Sequence, residues 1–234
     1  MRYNQFQQPI GAAVENMTIG AMPDIMQLHG ESCMIERLDY ARHSEAICEC
    51  YLQHTQTADW TYLSLEPFDE PQQVRSLLRQ WAESSDPYYF VILESHSRQV
   101  LGTLALMRID RHNRSIEMGW VIYSDLLKRS KAATEAQFLL MQYVFDTLQY
   151  RRYEWKCDAL NQRSRRAATR LGFQYEGTFR NAVVYKGRSR DTAWFSIIAE
   201  EWPPLKTAFK QYLAADNFDQ QGQQRQRLAA FLAQ

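Results

Sequence analysis

A mixed α+β domain built on a mostly antiparallel sheet is the fold class this sequence predicts, and three observations predict it. Three strand-like runs, Tyr88 to Glu94, Val100 to Ile109 and Ser115 to Tyr123, follow one another across short polar turns, as in an antiparallel meander. Two amphipathic helix patterns precede them. A third helix, a strand, a short helix and a closing hairpin come after, so the central helix sits between two neighbouring strands.

In chain order, residues 1 to 30 lack periodicity and hold Pro9, Gly11, Gly20, Pro23 and Gly30. They read as an irregular arm with at most one helical turn. Met34 to Leu38 suits a first strand. Asp39 can cap a helix that places His43, Ile47, Cys50 and Tyr51 on one face. Thr55 to Phe68 is a loop rich in aromatics. Asp69-Glu70-Pro71-Gln72 resembles a capping box with proline in the first turn. Behind it Val74, Leu77, Leu78 and Trp81 recur at helical spacing. After the meander, Phe138, Met141, Phe145 and Leu148 fall on one face of a long helix. Tyr153 to Cys157 alternates as a strand. Ser164 to Leu171 is a short helix stopped by Gly172. Tyr175 to Tyr185 and Thr192 to Ala199 pair as a hairpin around Lys186 to Arg190. A helix follows Trp202-Pro203-Pro204 and runs from about Leu205 to Leu213. The domain is thus expected over 31–213, with an arm at 1–30. A glutamine-rich extension at 214–234 reads as a peripheral helix that can serve as a homodimer element.

Composition narrows the function. Lys+Arg and Asp+Glu balance at 27 each, hydrophobic residues make 45% and charged residues 23% of the 234. This is ordinary for a globular protein, and the balance argues neither for nor against nucleic acid. No apolar run approaches the ~20 residues that span a bilayer, and no signal-peptide core follows Met1. The expectation is a cytoplasmic protein without a membrane partner. Cys33, Cys48, Cys50 and Cys157 lack metal-ligand spacing, as do the five histidines, so no metal is expected.

The stretch from Ile116 to Leu148 is where chemistry is expected. Ile116, Met118, Trp120 and Ile122 alternate with Glu117, Gly119, Val121 and Tyr123, the period of a pleated strand. The turn Lys128-Arg129-Ser130-Lys131-Ala132-Ala133-Thr134 then opens a helix. A helix N-terminus offers unpaired N–H groups and partial positive charge. Basic residues, a hydroxyl and small side chains beside it make a phosphate seat.

Three motifs, taken with the order of elements, resemble the GCN5-related N-acetyltransferases, in particular the branch of the RimJ/RimL-like protein N-terminal acetyltransferases. They are Lys131-Ala132-Ala133-Thr134-Glu135-Ala136; Asn161-Gln162-Arg163-Ser164 entering a short helix; and Leu171-Gly172-Phe173 followed by Tyr175-Glu176-Gly177-Thr178-Phe179-Arg180. The resemblance covers roughly Glu31 to Leu213. It implies a splay between the fourth and fifth strands of a GNAT-like sheet, with acetyl-CoA as donor. Pantetheine would lie along Val121, Ile122 and Tyr123, and pyrophosphate on Lys128 to Thr134, with Asn161 and Ser164 nearby. The turn departs from the family pattern: Lys128 stands where glutamine or arginine is usual, and Lys131 replaces the first glycine. Both lysines are expected to touch phosphate.

Acetyl transfer to an amine needs a neutral nucleophile, a stabilised oxyanion and a proton for the leaving thiolate. Glu117 is the candidate base; a strand glutamate paired with an arginine is the alternative. Ser164 is the candidate acid, or a cofactor contact, or a helix-start residue. The short helix holds no tyrosine, and Tyr185 is a distant reserve. Trp60 and Tyr62 either wall the acceptor site or pack in the core. The eight basic residues from Arg163 to Arg190 could hold the 3′-phosphate, draw an acidic substrate, or be a solvated face. They lack the interleaved aromatics of a single-strand binder, so nucleic acid is not expected as a partner. The reading is an acetyl-CoA-dependent N-acetyltransferase that attacks directly in a ternary complex and acts on a primary amine, a protein N-terminus among them. Its rivals are a small-molecule amine acetyltransferase, an inactive CoA-binding sensor, and an RNA- or ribosome-associated protein.

Overall fold

The computed structural model describes residues 1–232. A two-stranded hairpin, β1 (Arg2–Tyr3) with β2 (Pro9–Ile10), opens the chain. The arm then lies extended until β3 (Gln27–His29) adds to one edge of the main sheet. No helical turn forms in the arm. It is fastened where aromatic hydroxyls reach its carbonyls: Tyr150 Oη donates to Ala21 O at 3.0 Å and Tyr88 Oη to Ile25 O at 3.0 Å.

The sheet continues through β4 (Cys33–Arg37), β5 (Tyr88–Glu94), β6 (Val100–Asp110), β7 (Ser115–Tyr123), β8 (Arg152–Asp158), β9 (Gln174–Tyr185) and β10 (Arg188–Ile198). Its order is β3-β4-β5-β6-β7-β8-β10-β9. Every pair is antiparallel except β7 with β8, which the intervening helix makes parallel. The fold class is as expected, and the parallel pair falls between the fourth and fifth strands counted from Cys33.

Helices α1 (Tyr40–Gln53) and α2 (Pro71–Glu83) start where the sequence signals them. Asp39 accepts from Arg42 N at 2.8 Å, and Gln73 Oε1 accepts from Asp69 N at 3.1 Å in front of Pro71. Together they bury Ile47, Tyr51, Val74, Leu78 and Trp81 against β4 to β7, and this apolar cluster contains no residue of β8, β9 or β10. On the opposite face lie α3 (Lys131–Gln142), α4 (Gln162–Arg170), α5 (Trp202–Leu213) and the short α6 (Leu228–Leu232). Each large apolar side chain sealed there contributes roughly 1.5–3 kcal/mol.

Three local expectations are corrected. The long helix pattern to Leu148 is α3 followed by a π-helical turn over Tyr143–Thr147, and α3 is buried from Ala132 to Met141 because sheet, arm and α5 all pack on it. The final hairpin turns on Lys186-Gly187 alone, both at positive φ, so β10 begins at Arg188. Trp120 does not share a face with Ile116 and Met118. Thr103 pairs Ile122 while Ala105 pairs Gly119, so Leu104 opposes two residues, and Trp120 takes φ +50°. This bulge turns Trp120 and Ile122 toward α2, leaving Ile116 and Met118 beneath α3. The tail packs back on α5 and is helical at Leu228–Leu232: Asn217 Nδ2 donates to Tyr212 O at 2.8 Å, and Leu228 is buried.

Candidate active site

Parallel pairing of β7 with β8 runs from Ser115↔Arg152 to Met118↔Trp155 and stops. Beyond it, β7 stays with β6 and β8 with β10, and the two strands diverge. Val121, Ile122 and Tyr123 therefore border a V-shaped opening with no strand partner on the β8 side. The bulge at Trp120 drives the divergence by bending β7. Tyr123 is anchored below, its hydroxyl accepting from Gln137 Nε2 at 2.7 Å.

At the open end stands the basic turn. Ser124 Oγ donates to Leu101 O at 2.6 Å and Leu127 is fully buried, which fixes the turn to the sheet. Arg129 takes φ +63°, a conformation a non-glycine residue adopts at a cost. Ser130 caps α3, its Oγ accepting from Ala133 N at 3.1 Å. The lysines are committed to carboxylates: Lys128 Nζ pairs with Asp59 and, at 2.8 Å, with Asp125, and Lys131 Nζ lies 3.0 Å from Glu31. Thr134 is buried and accepts from Arg170 at 3.1 Å, which ties α3 to α4. Asn161 caps α4 by accepting from Ser164 N at 3.1 Å. Ser164 Oγ in turn accepts from the Trp155 indole at 2.9 Å, beside the Cys157 thiol. Burial pushes that thiol up, an effect the serine hydrogen bond partly offsets.

Glu117 sits on the last-but-one paired rung, its carboxylate on the sheet face opposite α3. It is 6% exposed, with Lys156 Nζ at 2.8 Å and Arg108 Nε at 3.2 Å. Burial raises its carboxyl above the usual carboxylate range, against the pull of Lys156 and then Arg108. Tyr185 donates to Asp158 at 2.7 Å, and burial pushes its phenol up to about 12. A hydroxyl so committed is a poor proton source.

The aromatic loop closes the mouth from the α1 side. Trp60 is 2% exposed, held between Tyr51 and Phe68, so it supports the loop from behind. Tyr62 is partly exposed and reaches Leu160 O at 3.3 Å. The hairpin tip straps the loop down: Lys186 Nζ donates to Trp60 O at 2.9 Å and Arg188 to Thr61 O at 2.7 Å. Half of the basic run from Arg163 to Arg190 is taken up by internal contacts, while Arg163, Arg166 and Arg180 stay exposed. Arg165 lies over Tyr175, and Arg170, Lys186 and Arg188 have the partners named above.

Sequence reasoning missed Lys156, Glu154, Asp59 and the strap. Alternation on β8 puts Glu154 and Lys156 opposite Trp155 and Cys157, which was signal enough for a charged face there. The partners of Lys128 and Lys186 lie far along the chain and leave no local trace. Among the described residues, no His, Cys, Asp and Glu group could hold a metal, and no helix is long and apolar enough to cross a membrane.

Comparison with known proteins agrees with this fold. The acetyltransferase (GNAT) domain family model matches residues 35–174. The crystal structure of a GCN5-related N-acetyltransferase from Brucella melitensis is 42% identical, covers 94% of this chain and 100% of its own, and superposes with a TM-score of 0.92. A protein from Chromobacterium violaceum, described as a probable acetyltransferase of the GNAT family, is 34% identical over 83% of this chain and 97% of its own, with a TM-score of 0.77. YdaF of Bacillus subtilis, provisionally named a ribosomal N-acetyltransferase, is 23% identical over 71% of this chain and 91% of its own length. The family model covers more than half of the chain, and the chain belongs to the GCN5-related N-acetyltransferase family: it is an N-acetyltransferase, for which that membership implies acetyl-CoA as the donor.

Proposed function

We propose that this enzyme moves the acetyl group of acetyl-CoA to the α-amino group of a polypeptide by direct attack in a ternary complex. The observation that carries the reading is the place of Glu117: a buried carboxylate on the rung beside the splay, facing the half of the sheet that α1 and α2 leave uncovered. There it can take the proton an attacking amine must lose, directly or through a water. Acetyl-CoA supplies the thioester. The free edge of Val121, Ile122 and Tyr123 would bond the pantetheine amides. The N–H groups of the turn, with Arg129 through Thr134 around them, would seat the pyrophosphate. Ser164 is held by the Trp155 indole beside Cys157, and to protonate a departing thiolate its hydroxyl would turn away from the Cys157 sulfur.

A polypeptide acceptor is favoured by a row along β10. Arg190 Nε, Thr192 Oγ1 and Trp194 Nε1 are each buried without a hydrogen-bond partner. Thr192 and Trp194 alternate with Ala193 and Phe195, which enter the core under α3, so these two face the Glu117 side, and Arg190 continues the same alternation. Alternate residues of a strand recur about every 6.7 Å, as do alternate carbonyls of an extended peptide. Turned outward from their present buried positions, such donors would match a chain of carbonyl acceptors, which a small amine does not offer. The acceptor class named for YdaF points the same way.

The test is release of free thiol from acetyl-CoA with three sets of acceptors. These are serine- and alanine-initiated tetrapeptides, the same peptides N-terminally blocked but carrying lysine, and small amines such as spermidine and free amino acids. Turnover confined to the unblocked peptides is expected; turnover confined to small amines would overturn the polypeptide reading. Glu117→Gln should lower kcat about 10²-fold or more, and unchanged turnover would remove the base.

A further inference from the structure

Lys156 lies in the middle of β8 with its side chain 6% exposed. Its Nζ stands 2.8 Å from Glu117 Oε2, 2.7 Å from Glu154 Oε2 and 3.8 Å from the centroid of the Trp194 ring. Glu154 is held from its other side by Arg152 at 2.7 Å. Glu117 and Glu154 are direct partners across the parallel pair, so their side chains leave the same face at about one strand spacing, ~4.8 Å. Two buried carboxylates that close tend to share a proton, and one of them then loses its use as a base. An ammonium between them removes the conflict.

Desolvating such a pair costs about as much as it returns, so stability alone gives a weak account of it. We propose that Lys156 is a positioning residue for the base: it fixes the Glu117 carboxylate beside the splay and keeps it in the ionised, proton-accepting form, with Glu154 as its second anchor. This rests on Glu117 being the base. The charged groups facing Glu117 are Lys156 and Glu154 from β8 and Arg108 from β6. Burial raises the Glu117 carboxyl, Lys156 and Arg108 lower it, and Glu154 raises it. The two neighbours on β8 therefore act in opposite directions, which fixes the sign of each test.

Removal of the cation by Lys156→Met should carry the acidic limb of kcat/KM, measured with the serine-initiated tetrapeptide, to higher pH. Activity at pH 7 should fall by about tenfold or more and return toward the parent value by pH 9. Glu154→Gln should move the limb to lower pH, and Lys156→Arg should restore it. In a Glu117→Gln background, Lys156→Met should leave the shape of the profile unchanged. A ¹³C NMR titration of glutamate-labelled enzyme, with Glu117 assigned by its Gln variant, reads the same shifts without any acceptor. It therefore separates failure of this inference from failure of the base reading. If Lys156→Met does not fold, the sign of the Glu154→Gln shift still decides. A loss equal at every pH, limbs moving in one direction for both variants, or an unmoved Glu117 resonance would overturn the proposal.

Discussion

Under α3 the sheet is closed by apolar side chains from β4 to β10, whereas the opposite face changes character half-way across. There α1 and α2 pack on β4 to β7, and beyond their cover a ladder of alternating charge runs from β6 and β7 across β8 to β9: Arg108, Glu117, Lys156, Glu154, Arg152 and Glu176. The closed face places atoms by packing, which is unforgiving and independent of pH. The open half places them by pairing charges, a cheaper arrangement to open and one whose strength depends on protonation. A transferase needs both, a rigid wall for the cofactor and an adjustable one for proton movement.

The largest expected effect breaks the closed face at its one buried carboxylate. Glu135 of α3 accepts from the backbone N–H groups of Glu31, Ser32 and Cys33 at 2.9, 2.7 and 2.9 Å, and this fastens the arm's end to the helix. Glu135→Ala leaves three donors unpaired, two of them in partly buried surroundings, and should cost about 3–5 kcal/mol. Urea unfolding should show the midpoint falling at constant slope. Gly30→Ala tests the same joint from the other side, since a Cβ there would stand 2.5 Å from the Glu135 carboxyl carbon. If Glu135→Ala costs under 1 kcal/mol, the arm is not part of the closed face.

Next in size is a loss in acid, centred on the covered half of the opposite face. Buried Glu36 pairs with Arg98, with Arg42 at 3.1 Å and with His43 at 3.2 Å. Burial raises Glu36, but the bonds from Arg98 and His43 outweigh it and hold its carboxyl below the usual value; burial lowers His43. Both groups thus bind fewer protons folded than unfolded. Their stabilisation is present above the unfolded values and is lost as pH falls, first below about 6.5 for His43 and then below about 4.5 for Glu36. Thermal melts from pH 8 to pH 4 should show this decline, flattened in a His43→Phe, Glu36→Gln double variant. A parallel decline in that variant would place the acid sensitivity elsewhere.

These contrasts also explain what was legible in the sequence. Elements set by local chemistry could be read directly: the Asp39 and Asn161 caps, proline at the start of α2 and glycine after α4. The splay was legible only through the family resemblance, since a helix between neighbouring strands accounts for their parallel pairing and not for where that pairing stops. Trp120 could not be placed, since a bulge depends on how β6 and β7 pair and reverses alternation for the residues after it. Lys186-Gly187 lacked the asparagine or aspartate that usually announces a two-residue turn. The ladder was half legible. Each strand's alternation gives the face, but only the β7–β8 register sets Glu117 beside Glu154 and brings Lys156 to both.

The smallest expected effect concerns the basic turn, where the two halves of the molecule meet. Lys128 belongs to the cofactor side by sequence, yet its ammonium joins Asp59 of the acceptor loop to Asp125. If that is its work, backbone N–H groups at the start of α3 hold the pyrophosphate, and Lys128→Ala should raise the KM for acetyl-CoA by less than about threefold. Stability should change by about 0.2–1 kcal/mol, the range of a partly exposed pair. Asp59→Asn should then match it, with any rise in KM falling on the acceptor through a loosened Trp60–Tyr62 loop. If the lysine instead leaves Asp59 for the phosphate when the cofactor binds, Lys128→Ala should raise the acetyl-CoA KM tenfold or more. Asp59→Asn should then lower it, because the competing carboxylate is gone. Opposite signs for the two variants mark a phosphate ligand, and matching signs mark a clasp between the cofactor turn and the acceptor loop.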